Sequence, residues 1–579
     1  MAPVPEKVTT DVNVTMPDVC GEGMLFASSG FDGPTDSTAR FVATVTGRAS
    51  TSGRTELKLD FHPATARAVT IALTDPAEFD VAVGDLIAAR VGQSRLILTF
   101  AAWHTMVIEV SEDAGVTFID DTGTPHPIDG PTTEHDDAGN DAVCVNRLGR
   151  RVVVAYGRSI DEAHARCAAG RDADIDKLSR DRLRWYEIIP APADDRDAKL
   201  LRKCVSVMRV NTLAPGDTMS TLWSTPDRIP HRHMWLWDSV FHSFGMNHLN
   251  PPAAWQFLLS VLNTQRDDGM IPHCRRIDAT TEPLTQPPIL AWGVWENYEH
   301  TRDLQTLRYA WPILHRYLTW FCDHRTDPRS GLFSWWLRDD PNCRSDESGM
   351  DNSPRFDHPE VSGAVDLNVY AVNDMRYAGR IAQKLGDRSA AAHWRDRAAH
   401  AATALHERLW HPAAGLYADQ LPDGTPSPVR AVSGFLPLLL DDLPAQRIAP
   451  LVAALTDPLD FGTPVPVPSV SRRDPGWSTD MWRGPAWINM NYLIILGLRR
   501  HGQHDCADRI AEATIATVDK YYQRFGVVFE FYDSADRVPP TRCDRKGPPR
   551  EEYDPDKKID SIRDYHWSAA LALALLAER

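Results

Sequence analysis

From Arg40 to Gly157 the chain alternates polar and apolar residues in short runs: RFVATVTG, TELKLDFH, RLILTFAAWHTMVIEV and RRVVVAYG, with Gly, Asp and Ser clusters between them. A period of two puts successive side chains on opposite faces, so each run predicts a strand. Short strands at this spacing predict a β-sandwich. From Ile160 to Trp185 the period becomes helical, and PAPADD from Pro190 reads as a linker. Two domains are therefore expected: residues 1–190, a β-sandwich with a helical linker, and residues 191–579. In the second, helical periodicity recurs at about 200–213, 238–248, 252–264, 289–299, 303–323, 366–385, 388–409, 485–500, 504–522 and 566–578. An echo between DPRSGLF at Asp327–Phe333 and HPAAGLY at His411–Tyr417 suggests repeated hairpins. In each copy Pro stops a helix, Gly turns the chain and an aromatic starts an extended return.

With 579 residues the chain exceeds one ordinary core, and 43% hydrophobic content is that of a soluble globular protein. A formal charge of −17 argues against nucleic-acid or anionic-membrane partners, which require basic surface. MAPVPEKVTTDV carries charge where an export signal needs an apolar run, and no later stretch reaches the length of a bilayer span. Nine scattered cysteines without CxxC spacing suggest neither a disulfide framework nor a zinc site. The expected setting is a reduced cytosol.

Of 18 tryptophans only Trp103 and Trp185 precede residue 190, so aromatic chemistry is concentrated in the helical region. There SGMDNSPRFD places Asp351 in a turn-forming segment near Trp335, Trp336, Arg355 and Asp357. Asp351 reads either as a turn residue capping backbone donors or as a general acid, since a carboxyl among aromatics is pushed toward its protonated form. Alternation in GVVFEFYDS sets Val528, Glu530 and Tyr532 on one face; Glu530 is an ordinary strand glutamate or a base that activates water. WLWDSVF opens a helix, making Asp238 an N-cap, a sugar ligand or both, with Trp237 beside it. In MWRGPAW, Trp482 and Arg483 flank a Gly-Pro turn, and TQPPILAW places its prolines at a helix start with Gln286 at the rim. His231, His233 and His273 lack an obvious third ligand, so no metal is expected, and hydrolysis needs no cofactor.

Taken together, WLWDS, TQPPILAW, SGMDNSPRFD, MWRGPAW and EFYD resemble, in order along the chain, the signature segments of glycoside hydrolase family 63 and its relatives, which include trehalases and mannosylglycerate or glucosylglycerate hydrolases. The resemblance covers roughly residues 200–579. It implies an (α/α)6 barrel and hydrolysis of an α-linked glucoside with inversion. Asp351 falls on the general acid and Glu530 on the general base, while Trp237, Asp238, Gln286, Arg355, Trp482 and Arg483 fall on segments lining the sugar pocket. Met350 stands where trehalase-like relatives carry tryptophan, and Arg483 replaces an acidic residue of the trehalase pattern, so trehalose is a poor first guess. The partner expected is a small carbohydrate, with self-association open. Two rivals are a sugar isomerase or epimerase using His231, His233 or His566, and a non-catalytic carbohydrate-binding protein.

Overall fold

The protein is described from a computed structural model covering residues 14–579 apart from 37–39, 47–53, 63–66, 130–132, 138–140, 188, 191, 341–342, 358–359 and 548–558. The amino-terminal segment read for an export signal lies outside the described residues. The chain divides into two compact units. One comprises residues up to Arg232 with Val518–Val528 and Arg563–Ala569; the other comprises His233–Thr517, Phe529–Ile562 and Ala570–Arg579.

The first unit is built on a large antiparallel sheet. Its strands pair in the order Leu25–Phe26, Val42–Thr46, Arg54–His62, Arg67–Val83, Leu86–Val91, Ser94–Ala102, Thr105–Glu109, Arg151–Gly157, Asp141–Leu148 and Thr133–Asp137. The long strand Arg67–Val83 changes partners along its length. Its first part pairs with Gly115–Ile119 as well as Arg54–His62, and its second part pairs with Leu86–Val91 across a register shift. Alternation along these strands predicts one wet face, yet Leu86–Val91, Thr105–Glu109 and Arg151–Gly157 are buried almost throughout. For the last two the reason is the helical stretch that the sequence presents as a linker. Helix Ile160–Arg171 packs on the strands around Val153, with Ala163 and Cys167 against Ala142, Cys144 and Ala155, and Ile175–Glu187 packs on Ser94–Ala102.

Three separate pieces of chain meet inside this unit at Asp564. Its carboxylate accepts the Leu25 and Val528 N–H groups at 3.0 and 3.2 Å and pairs with the fully buried Lys203 ammonium at 2.9 Å. A buried charge of either sign is tolerated only with a partner of this kind.

In the second unit the helices occur where the apolar stripes predict them, including Leu236–Asn247, Pro251–Leu262, Leu290–Thr301, Leu304–Arg325, Val365–Leu385, Arg388–Arg408 and Ile488–Arg500. Two helical segments carry no such stripe. Val432–Leu439 is buried on every side and, with Pro437 removing a backbone donor, winds as a 3-10 helix; Ile448–Thr456 follows it. Neighbours succeed one another as Leu236–Asn247, Leu290–Thr301, Val365–Leu385, Val432–Leu439 and Ile488–Arg500. The closing stretch Ala570–Arg579 then touches both ends of this series: Tyr492 donates to Glu578 at 3.0 Å, and Gly245 lies against the Ala570 carbonyl. Among the described residues no helix is long and apolar enough to cross a membrane.

Candidate active site

The segment carrying Asp351 is irregular because its residues satisfy one another locally. Asp346–Ser348 forms a single 3-10 turn, the Ser348 hydroxyl accepts the Met350 N–H at 3.0 Å, and Pro354–Phe356 forms a second turn after Ser353. Gly349 joins the two parts at φ +70, and a Cβ there would lie 2.1 Å from the Trp237 ring. Trp237 is consequently a wall against which the Asp351 segment leans. Gly349→Ala should lower the melting temperature and cut turnover together, because it adds left-handed strain of order 1 kcal/mol to a clash with an immobile ring; thermal unfolding and a rate measurement on one preparation check this.

Trp237 is itself fixed from the other side. Helix Leu236–Asn247 has Trp235 as its cap residue with no side-chain cap bond, and the Trp237 N–H is accepted instead by the Gln286 amide oxygen at 3.1 Å. Gln286 thus completes a helix end. Asp238 is not the N-cap that WLWDSVF suggests; it lies inside the first turn, where a carboxylate complements the helix dipole.

Arg355 is tied into a buried ion-pair network. Its Nε and both terminal nitrogens bond Asp366 and Asp419 at 2.6 to 2.9 Å, and Nη1 also reaches the Met350 sulfur. Only 1% of the side chain is exposed. Asp366 in turn accepts from the Trp335 indole at 3.0 Å, which draws that ring into the core; Trp336 alone of the pair is exposed. Arg355 is therefore tied to the Asp351 segment through Met350. Arg483 forms an exposed pair with Asp357 and donates to the Asn352 carbonyl at 3.0 Å. Trp482 is buried in a parallel stack on Trp487, with ring centroids 3.8 Å apart.

Glu530 comes from an extended stretch that makes no regular ladder. Its N–H bonds the Ile562 carbonyl at 2.8 Å, Phe531 N–H bonds Ser561, and a lone bridge links Tyr532 to Ala486. Every residue from Val527 to Asp533 is buried, so the half-exposed face suggested by alternation is absent. Asp533 is occupied as a turn organiser, accepting the N–H groups of Ala535, Arg537 and Val538.

Two adjacent residues without a motif each pair with one of the two carboxylates. Arg545 Nε and Nη2 contact the Glu530 carboxylate at 3.0 and 3.1 Å, and Lys546 Nζ lies 2.5 Å from Asp351 Oδ2. Adjacent Cα atoms are only about 3.8 Å apart, so two carboxylates from remote parts of the sequence flank one dipeptide. Asp480 holds that dipeptide in place. Its carboxylate accepts the Lys546 and Gly547 N–H groups at 2.7 and 3.1 Å and the Asn352 amide at 3.1 Å, while Asn352 accepts the Trp482 N–H. Both Met481 and Lys546 adopt left-handed backbone, with φ of 41 and 58. Such non-glycine positions cost of order 1 kcal/mol and persist where surrounding bonds over-determine them.

The electrostatics follow from this crowding. Asp346 is pushed up to about 6, first by burial and then by the Asp351 charge. Burial disfavours the Lys546 ammonium, yet Asp351 and Cys343 more than offset this and raise it above the ordinary lysine value. Cys343, Asp346 and Asp351 could group as ligands, but the Lys546 ammonium already fills that place, 2.8 Å from the Cys343 sulfur. Of the histidines, His231 Nδ1 lies 2.5 Å from Asp227, and His566 is sealed and drawn down to about 3 by burial; both belong to the first unit. His273 is likewise drawn down to about 4 by burial.

Two carboxylates on loops of a helical unit are the donor set that a glycoside hydrolase uses, and the chain's matches to known proteins place it in that class. The chain belongs to the family of the mannosylglycerate hydrolase MGH1-like glycoside hydrolase domain, whose profile matches residues 231–536, within glycoside hydrolase family 63. It is 27% identical over 424 residues to a mannosylglycerate hydrolase of Thermus thermophilus, a match covering 59% of this chain and 93% of that protein. The crystal structure of the GH63 mannosylglycerate hydrolase from another strain of Thermus thermophilus, in complex with Tris, superposes with TM-score 0.53 at 25% identity, over 66% of this chain and all of that one. A bacterial glucoamylase complexed with acarbose matches the fold along 100% of this chain and 95% of its own, with TM-score 0.59 at 11% identity.

Proposed function

We propose that this hydrolase cleaves an α-linked glucoside, either a small oligosaccharide or a glucosyl conjugate such as that of glycerate, by a single displacement that inverts the anomeric centre. Asp351 protonates the departing glycosidic oxygen, and Glu530 takes a proton from the water attacking the opposite face of the ring. The observation that carries this reading is that Glu530 and Asp351, remote in sequence, pair with the neighbouring residues Arg545 and Lys546. Glycerate conjugates rank high among substrates because the relatives matched by sequence include mannosylglycerate hydrolases and a glucosylglycerate hydrolase.

The helical unit is read as an (α/α)6 barrel, a reading supported by the closed succession of six helical segments, each touching the next. The bent sheet of the first unit is read as a β-sandwich folded from one continuous set of strands. The compartment proposed is the cytosol, on the ground of nine unbridged cysteines, eight of them buried. Proton NMR of the products from glucosylglycerate, mannosylglycerate, kojibiose, nigerose and trehalose tests substrate and stereochemistry together. The β-anomer should appear first from a cleaved α-glycoside; initial release of the α-anomer would overturn the single-displacement mechanism.

A further inference from the structure

The two ion pairs at the site differ in one respect that matters for an acid. Arg545 and Glu530 are sealed, with 3% and 2% of their side chains exposed, whereas Lys546 and Asp351 are 20% and 21% exposed. The first pair is fixed and the second can part. At rest, however, the Lys546 ammonium stands 2.5 Å from Asp351 Oδ2, the group an acid catalyst must present, with its proton, to the bond that breaks. Something must draw the ammonium away.

The surroundings permit that movement. Asp480 anchors the Lys546 backbone, so the flexible side chain can move while the loop stays. The ammonium already shares the Cys343 sulfur at 2.8 Å and acts on the Asp346 carboxyl, so it is not held by Asp351 alone. Position then indicates what draws it. A general acid touches the oxygen of the leaving group, so a cation in contact with the acid lies on the leaving-group side of the scissile bond, while Arg545 lies with the base on the water side.

We propose that Lys546 is a positioning residue that transfers its charge contact from Asp351 to an anionic group, of the carboxylate class, on the leaving portion of the substrate. Relieved of its counterion, Asp351 takes a proton from solvent and delivers it to the glycosidic oxygen as the C–O bond breaks; Glu530 accepts the proton lost by the attacking water. Substrate charge thereby switches the acid into its working form. This rests on the assignment of Asp351 as the acid.

A matched pair of substrates tests it: the α-glucosides of glycerate and of glycerol, which have leaving groups of similar size and differ in charge. The full-length wild type should favour the glycerate conjugate in kcat/KM. Lys546→Met should lower that value by roughly 10- to 100-fold, the worth of a charged hydrogen bond. It should also raise turnover of the glycerol conjugate several-fold, because the acid is no longer held by the lysine. Lys546→Arg, which keeps the charge, should retain the preference for glycerate. Equal losses on both substrates in Lys546→Met, or a wild type that cleaves both without preference, would overturn the role of Lys546 while leaving the hydrolase assignment standing. A wild type inert on every α-glucoside offered would overturn both.

Discussion

Asp351→Asn and Glu530→Gln each reduce turnover by roughly 10²- to 10⁴-fold, the usual worth of a general acid or base. Their stabilities diverge. Asp351 and Lys546 are partly solvated, so neutralising Asp351 leaves an ammonium that water can reach. Glu530 and Arg545 are sealed, and breaking such a pair costs about 3–5 kcal/mol, at the lower end here because the glutamine oxygen can still accept one guanidinium bond. Product release by a coupled glucose assay, with thermal unfolding on the same samples, separates the two effects. Activity within tenfold of wild type in a folded variant removes that residue from its role.

Arg355→Leu produces the largest loss of stability expected here. The guanidinium neutralises Asp366 and Asp419, both fully buried, and no water can replace it. Removing the centre of such a network leaves uncompensated charge worth about 3–5 kcal/mol, enough to unfold a marginal domain. The change should appear as a lower urea midpoint and as loss of activity, because the acid segment rests on Arg355 through Met350. Replacing both aspartates by asparagine in the same variant should restore part of the midpoint. An unchanged midpoint in the single variant would mean that the three charges do not act as a unit.

Much of this architecture is legible in one sequence. Apolar stripes locate helices such as Leu304–Arg325 and Arg388–Arg408, which bury one face and wet the other, and period-two runs locate the strands around Val42 and Val152. Segments without a wet face escape that logic, as Val432–Leu439 does. The same holds for the stretch around Glu530, where alternation implies a half-exposed strand but burial is complete. At the site, motif residues are visible and their partners are not. Arg355 belongs to a recognisable segment, yet its role depends on Asp366 and Asp419, the latter distant in sequence. Arg545 and Lys546 sit in CDRKGPP, which reads as an ordinary polar loop; only three-dimensional proximity to Glu530 and Asp351 gives them meaning.

The buried lysine of the first unit bears on how this molecule can be dissected. Lys203 lies in the first half of the polypeptide and its counterion Asp564 near the carboxy end. A fragment cut anywhere between them would inherit a desolvated ammonium with nothing to neutralise it. Modular boundaries drawn along the chain are therefore poor guides to what can be expressed alone, and grafting the strand-rich portion onto another enzyme would require carrying its distant carboxylate along.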